Sequence, residues 1–140
     1  MSTRNTIQRQ IVLDAVRTLH SKHPTADEIY QHILREHPGL GRATVYRNLS
    51  ILSENGRIQK LEMPIPPDRF DDALRQHYHM QCRICREICD ANIEYMTELE
   101  HKIEDSEGFK VEGHDIIFKG ICKKCSNNNF IMEDTNNANT

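Results

Sequence analysis

The sequence predicts an α+β protein of two small domains, and three observations support this prediction. Residues 1–62 show three helical patterns, residues 63–69 are rich in proline, and the remaining chain combines short strand-like runs with two cysteine pairs. A chain of 140 residues can form one ordinary domain or two small ones, each near the lower size limit for a self-sufficient core. Its mean hydropathy is -0.68, and it contains no apolar run long enough to span a membrane.

The N-terminal pattern predicts three helices and a strand. Apolar residues at helical spacing favour a first helix at about 6–20 and a third at about 42–54. The second helix is expected to begin after Thr25, which forms a capping-box pattern with Glu28. The segment 57–62 is too short for a helix and suits one strand of a small hairpin. Three helices followed by a strand are typical of a winged helix-turn-helix domain, although an ordinary three-helix core shows the same apolar stripes.

In a winged helix-turn-helix domain the third helix enters the DNA major groove, and here its predicted outer face is polar and basic. The residues expected to contact DNA are Arg42, Thr44, Tyr46, Arg47 and Ser50. Residues 1–62 hold nine Lys and Arg against six Asp and Glu, whereas residues 63–140 hold nine against fifteen. This division fits a basic half that contacts phosphate and an acidic half with another task, and chance variation among solvated faces is the alternative.

The proline-rich segment 63–69 is expected to be a stiff hinge, followed by a small α/β dimerisation domain at 70–126. The elements predicted for this domain are strands at 78–82 and 86–91, a helix at 95–107, and strands at 109–113 and 116–121. An exposed sheet edge suits association with a second copy, so we expect a homodimer. The asparagine-rich tail, residues 127–140, is expected to be disordered apart from a possible contact by its apolar residues 130–132.

Two CxxC pairs, Cys82 with Cys85 and Cys122 with Cys125, form the clearest motif. Four thiolates favour Zn²⁺ in a closed, tetrahedral structural site. No secretory signal opens the chain, and a reducing cytoplasm favours metal binding over disulfides. The alternatives are an iron site of rubredoxin type and a redox dithiol, which would need a helix N-terminus that neither pair clearly opens. Cys89 is expected to be a buried apolar filler, with a redox role as the alternative.

His77 and His79 point to the same face of a predicted strand and offer half of a nitrogen and oxygen metal site. The remaining ligands must come from elsewhere in the chain, and the candidates are Asp71, Asp90 and His23. Each candidate also has a purely structural interpretation, as a solvated acid, a strand-end acid or a turn histidine before proline. A histidine pair on a strand face is itself often structural.

Taken in order, these segments resemble the ferric uptake regulator (Fur) family. The resemblance is carried by the motifs HPTADEIY at 23–30, ATVYRNL at 43–49, RFD at 69–71 and HYH at 77–79, followed by the two cysteine pairs. It covers residues 6–125 almost continuously. Within the family, the chain is most similar to the branch of peroxide-sensing repressors (PerR).

The resemblance implies that five side chains bind a regulatory Fe²⁺ or Mn²⁺: His23, Asp71, His77, His79 and Asp90. Aspartate at position 90, where iron-sensing relatives usually carry glutamate, implies peroxide sensing. In that branch, peroxide reacts at bound Fe²⁺ and oxidises a ligand histidine, here His23 or His77, and the repressor leaves its operator. The implied partners are a double-stranded DNA operator with an inverted repeat and a second copy of the chain. Peroxide would be a signal and not a substrate, and no membrane partner is implied.

Three other functions remain open at this stage. The first is a Fur-family sensor of iron, manganese or zinc supply without oxidation chemistry; Arg47, where some peroxide sensors carry asparagine, leaves the operator type open. The second is a metalloenzyme with His77, His79 and Asp71 as a facial triad. The third is a zinc-stabilised protein-interaction module that does not bind DNA.

Overall fold

The structure, a computed structural model, describes residues 3–127. The chain forms two compact units, of which the first ends at Arg75 and the second begins at Gln76. Among residues 3–127, none of the helices combines the length and the hydropathy that a membrane span requires.

The first unit contains three helices and a two-stranded antiparallel sheet. Its elements are α1 (Thr3–Thr18), a 3₁₀ turn (His20–Lys22), α2 (Ala26–Glu36), α3 (Arg42–Glu54), β1 (Gln59–Leu61) and β2 (Arg69–Asp71). All three predicted helices and the first strand of the wing are thereby confirmed. The buried apolar side chains of the first unit form one core, and they are Val12, Leu13, Ala15, Val16, Ile29, Ile33, Val45, Leu49, Leu52, Ile58 and Phe70.

The predicted capping box fixes the start of α2. The Glu28 backbone N–H donates to the Thr25 hydroxyl at 3.1 Å, and the Thr25 backbone N–H donates to the Glu28 carboxylate at 3.0 Å. Two backbone donors that the first turn would leave without an intrahelical partner are satisfied in this way. The short connection before α2 ends at His23, immediately upstream of this cap.

The proline-rich segment does not separate the units as expected. Residues 63–69 connect β1 to β2 inside the first unit, where Gln59 pairs with Asp71 and the Phe70 side chain joins the core. Proline composition correctly predicts a path that is not helical, but the expected extended connector is wrong, because residues 64–67 bend and the chain returns to the same sheet. The boundary therefore lies after Arg75, and Asp71 belongs to the first unit.

The second unit is built on a three-stranded sheet with β3 (Tyr78–Cys82) at its centre. β4 (Ile88–Ala91) pairs with β3 in antiparallel register, and β5 (Ile117–Gly120) pairs with it in parallel register. A short helix, α4 (Lys123–Ser126), follows β5. The predicted strands at 78–82 and 116–121 are confirmed, and the strand predicted at 86–91 begins later, at Ile88.

Two predictions for the second unit are wrong. The expected helix at 95–107 is only a 3₁₀ turn, Leu99–Lys102, because its predicted inward stripe is not buried: Met96 is 39% exposed and Ile103 is 49% exposed. A short helix depends on packing of its apolar face. The expected strand at 109–113, all within the described residues, is not formed, and Phe109 is 76% exposed.

Cys89 is also not a buried filler. Its cross-strand partner is Met80, which is 41% exposed, and Cys89 itself is exposed on the same side of the sheet. Strand alternation places Cys89 on the face opposite to its neighbour Asp90, but it does not show whether that face is covered. The predictions for the asparagine-rich tail, residues 127–140, fall outside the described residues from 128 onward, and the first residue, Asn127, is the C-cap of α4.

Candidate functional site

The four cysteines of the CxxC pairs form one cluster in the second unit. Cys82 ends β3 and Cys85 lies in the tight turn after it, while Cys122 precedes α4 and Cys125 lies within it. The four sulfur atoms all lie within 4.8 Å of one another, and those of Cys85 and Cys122 are 3.8 Å apart. The sequence predicted this grouping, which connects the β3–β4 hairpin to the end of β5.

The backbone around the cluster favours thiolate at one position and opposes it at another. Burial raises the pKa of the Cys82 thiol, but backbone N–H groups of Cys122, Cys85 and Ile84 outweigh it and lower that pKa to about 6. Burial, together with the neighbouring thiols, raises the pKa of Cys125 to about 12. A cation among the four sulfurs would favour all of them as thiolates, and four soft sulfur donors in close contact suit Zn²⁺.

One expectation about the cysteine pairs needs correction. The sequence indicated that neither pair opens a helix, whereas Cys122 is the N-cap residue of α4. This helix has only four residues, so its dipole is small. The sulfur contact of 3.8 Å joins Cys85 and Cys122, which belong to different pairs, and this fits a single four-sulfur site better than two separate dithiols.

A second donor group in the second unit contains His77, His79 and Asp90. Because His79 pairs directly with Asp90 across β3 and β4, and His77 precedes it by two residues on the same face, the three side chains converge. Asp90 Oδ1 lies 3.2 Å from Nε2 of His77 and 3.5 Å from Nε2 of His79. The two imidazole rings are 4.4 Å apart, and both side chains are almost fully buried.

The first unit holds the other two predicted ligands, His23 and Asp71. Nε2 of His23 lies 3.6 Å from Oδ2 of Asp71, and both side chains are buried. The other carboxylate oxygen, Oδ1, accepts a hydrogen bond from the Ala73 backbone N–H at 2.9 Å, which orients Oδ2 toward the imidazole. Backbone pairing places the two residues together, since the Phe70 N–H donates to the Pro24 carbonyl at 2.9 Å.

The backbone of His23 is unusual. Its φ of 46° lies in the left-handed region, which a residue before proline rarely adopts. The Arg69 guanidinium donates to the carbonyl of His23 at 3.2 Å and to that of Lys22 at 3.3 Å, so β2 stabilises this turn. Strained backbone of this kind is found preferentially at functional sites.

Tyr78, between the two strand histidines, points to the opposite face and anchors β3. Its hydroxyl accepts a hydrogen bond from the Met96 N–H at 3.0 Å and contacts Nε2 of His114 at 2.5 Å. Nδ1 of His114 contacts the Glu100 carboxylate, and the Tyr95 ring stacks on the imidazole. The hydrogen bond from His114 lowers the pKa of Glu100. Sequence reasoning did not identify this network, because it depends on irregular loops.

The third candidate region is the outer face of α3. Arg42, Tyr46, Arg47 and Ser50 are exposed and Thr44 is half-buried, so the side chains predicted to contact DNA lie on the surface. Sequence reasoning missed the partners of Arg42. Its Nη1 donates to Asp27 Oδ1 at 2.6 Å and to the Tyr46 hydroxyl at 3.0 Å, and its guanidinium stacks over the Tyr30 ring.

Comparison with known proteins agrees with the family resemblance of the sequence motifs. Residues 1–119 match the family model described as the ferric uptake regulator family. A "peroxide-responsive repressor PerR" of Staphylococcus aureus (strain NCTC 8325 / PS 47) is 35% identical over 122 residues, which cover 87% of this chain and 82% of that protein. Cys122 and Cys125 lie beyond the match to the family model, so their place in the thiolate cluster rests on geometry.

Two solved structures are similar along most of the chain. The Campylobacter jejuni peroxide stress regulator superimposes with a TM-score of 0.70 at 29% identity, covering 87% of this chain and 91% of that one. The Helicobacter pylori ferric uptake regulator superimposes with a TM-score of 0.69 at 24% identity, covering 87% and 81% of the two chains. The second likeness supports the fold alone.

Proposed function

Because the chain belongs to the ferric uptake regulator family, whose members are DNA-binding transcriptional regulators and not enzymes, we propose that it is a metal-dependent repressor that senses hydrogen peroxide. The proposed signal is oxidation of a histidine that binds the regulatory metal. The proposed targets are peroxide-defence genes. A repressor acting on chromosomal DNA would work in the cytoplasm.

The observation that carries this proposal is the position of Asp90 beside two buried imidazoles. The short aspartate side chain, in direct register with His79, places its carboxylate close to both strand histidines. The family resemblance associates aspartate at this position with peroxide sensing. The similarity to the Staphylococcus aureus repressor and to the Campylobacter jejuni regulator, both named for their response to peroxide, points the same way.

We propose that His23 and Asp71 join His77, His79 and Asp90 as ligands of one regulatory ion. The joining of these two groups into a single site rests on the family resemblance. Three imidazole and two carboxylate donors suit Fe²⁺, Mn²⁺ or Zn²⁺, and affinity alone would favour Zn²⁺, so the ion bound must depend on availability and geometry. An ion held by residues of both units would couple metal binding to DNA binding.

The protein side chains would hold the ion and receive the oxidation. Fe²⁺ held by these side chains would supply reducing power toward peroxide, which Mn²⁺ would supply poorly. In the overall reaction, one oxygen atom of peroxide is added to an imidazole carbon, the ring loses two electrons to the broken O–O bond, and the second oxygen leaves as water. Addition of oxygen to His23 or His77 would weaken their binding of the metal and release the operator.

The four-cysteine cluster has a different proposed task. Zn²⁺ bound there would hold the β3–β4 hairpin to α4 and the end of β5 permanently. In a unit this small, the free energy of metal binding becomes free energy of folding. Four thiolates that fill a tetrahedral site leave no open position for a substrate.

DNA binding is proposed for α3. Tyr46 and Arg47 would contact base edges, and Arg42, Thr44 and Ser50 would contribute phosphate or supporting contacts. Regulators of this family bind DNA operators and act as dimers, and two symmetry-related copies of α3 would fit an operator with an inverted repeat. Arg47 distinguishes this surface from that of some peroxide sensors, so the operator sequence must be determined directly.

The proposal is tested by operator binding of protein loaded with either Fe²⁺ or Mn²⁺. The operator is first obtained by selecting duplexes from a random library with the Mn²⁺-loaded protein. Both forms should bind the selected duplex, and peroxide should release only the Fe²⁺ form. If the Fe²⁺ form keeps its operator after peroxide, the chain is a sensor of metal supply, the alternative function within the same family.

A further inference from the structure

Arg42 occupies a position that helix stability does not explain. It is the first residue of α3, where the positive end of the helix dipole disfavours a basic side chain, and no acidic residue lies in that turn. The N-cap residue Gly41 provides no side-chain hydrogen bond either. Stabilisation of Arg42 must therefore come from contacts of its side chain.

Two residues of α2 provide it. Asp27 accepts a charge-assisted hydrogen bond from Nη1 at 2.6 Å, and the Tyr30 ring lies 4.5 Å from the guanidinium carbon, within the range of a cation–π contact. The Arg42 side chain is still 49% exposed and that of Asp27 58% exposed, so the pair is accessible at the surface where DNA would bind. The positive charge of Arg42 is thereby balanced locally, which weakens its attraction for phosphate.

The same Nη1 also donates to the Tyr46 hydroxyl at 3.0 Å. A tyrosine hydroxyl has one hydrogen to donate and lone pairs that accept. Since the Tyr46 oxygen already accepts from Arg42, its own hydrogen must point elsewhere. Tyr46 therefore presents a donor at the surface, and a donor selects acceptors such as guanine N7 and O6, adenine N7 or thymine O4 in the major groove.

We propose that Arg42 is a positioning residue, held by Asp27, that fixes the Tyr46 hydroxyl as a hydrogen-bond donor to a base acceptor in the operator. Specificity at that base pair then depends on Asp27, although Asp27 does not touch DNA. This inference rests on the proposed binding of α3 to DNA. It changes the role of Arg42 from a phosphate contact to support for Tyr46.

The test measures the affinity of the Mn²⁺-loaded, full-length protein for the selected operator and for a scrambled duplex over a range of salt concentrations. Arg42→Ala and Tyr46→Phe should each reduce operator affinity about tenfold and leave scrambled-duplex affinity and the salt dependence unchanged. The double variant should bind no worse than either single variant, because both remove the same contact. Arg35→Ala, at the far end of α2, removes an equal charge and should change neither affinity.

Two further variants separate positioning from charge. Arg42→Lys keeps the charge but lacks the planar group that stacks on Tyr30, so it should lose discrimination as Arg42→Ala does. Asp27→Asn keeps Arg42. It should also reduce the affinity for the operator and leave the affinity for the scrambled duplex unchanged. Thermal denaturation of each variant verifies that α2 and α3 still fold.

Several results would overturn the inference. If Arg42→Ala weakened both duplexes equally and reduced the salt slope by about one, Arg42 would be a phosphate contact. Full binding by Arg42→Lys, or tighter binding of both duplexes by Asp27→Asn, would show that only charge matters. If Tyr46→Phe weakened both duplexes equally, its hydroxyl would contact phosphate. A wild-type protein that cannot discriminate the two duplexes would instead contradict the proposed function itself.

Discussion

His79 and Asp90 face each other directly across the antiparallel strands β3 and β4, and the Asp90 carboxylate lies 3.5 Å from the imidazole Nε2. Strand register thus fixes a histidine and a carboxylate at one point, and His77 adds a second imidazole to the same face. A side chain longer by one methylene at position 90 would move the carboxylate relative to both rings. The proposed sensing chemistry depends on this spacing.

Asp90→Glu tests the importance of that spacing. We expect the variant to retain metal-dependent operator binding, because glutamate supplies the same donor, but to need a several-fold higher peroxide concentration for release. The measurement is operator binding by the Fe²⁺-loaded protein over a peroxide titration. Asp105→Glu, an exposed acid distant in sequence from the ligands, is the matched control. Unchanged peroxide sensitivity of Asp90→Glu would remove the main support for peroxide sensing.

His23→Asn tests the role of the histidine in the first unit. Asparagine is the residue other than glycine that best tolerates the left-handed backbone observed at this position, so the turn should be preserved while the imidazole is lost. We expect the affinity for Mn²⁺ to fall more than about tenfold, with little change in thermal stability. Metal titration of the folded protein measures this loss.

His20→Asn is the control for that experiment, because His20 is exposed in the same short connection and its ring Nδ1 lies 2.9 Å from the Arg17 carbonyl, away from the proposed ligands. It should leave metal affinity unchanged. Equal metal affinities for His23→Asn and the wild type would show that His23 is not a ligand.

The four-cysteine cluster predicts a strong difference between two cysteine variants. Cys125→Ser should abolish bound Zn²⁺ and the cooperative unfolding of the second unit, because a structural zinc site contributes about 10 kcal/mol or more of apparent binding free energy. Cys89→Ser, which changes an exposed thiol outside the cluster, should retain both properties. Zinc analysis and circular dichroism melting measure the outcome. Wild-type stability in a Zn²⁺-free Cys125→Ser protein would contradict a structural zinc site.

Glu100 predicts a pH dependence of stability. Its pKa is lowered by the hydrogen bond from His114 below the usual value of 4.5, so the folded state favours the carboxylate. The resulting stabilisation is present above the unfolded pKa and is lost as pH falls through the lowered folded pKa. Wild type should therefore be more stable than Glu100→Gln above about pH 5, and the difference should vanish in stronger acid. A difference independent of pH would contradict this contribution from the carboxylate.

The elements that the sequence predicted well are those specified by local patterns. The capping box at Thr25 and Glu28 marks the start of α2, and apolar spacing marks α3. His77, His79 and the cysteine pairs could be grouped because strand alternation and CxxC spacing impose their directions locally. These features depend on neighbouring residues in the chain and require no knowledge of distant contacts.

The features that could not be predicted depend on long-range pairing. Phe70 joins the core of the first unit only because β2 returns to β1, which proline composition does not reveal. The helix expected around Leu99 required a surface to cover its apolar stripe. The Asp27–Arg42 contact joins two helices, and its one sequence signal is a basic residue placed against the dipole at the start of α3.

The central claim is that peroxide oxidises a histidine that binds the regulatory metal. Peptide mass spectrometry of the Fe²⁺-loaded protein, before and after one equivalent of peroxide, tests it most directly. The predicted result is one added oxygen atom on the peptide that carries His23 or the peptide that carries His77, absent from Mn²⁺-loaded protein and proportional to lost operator binding. Release of the operator without an added oxygen on either peptide would contradict the claim.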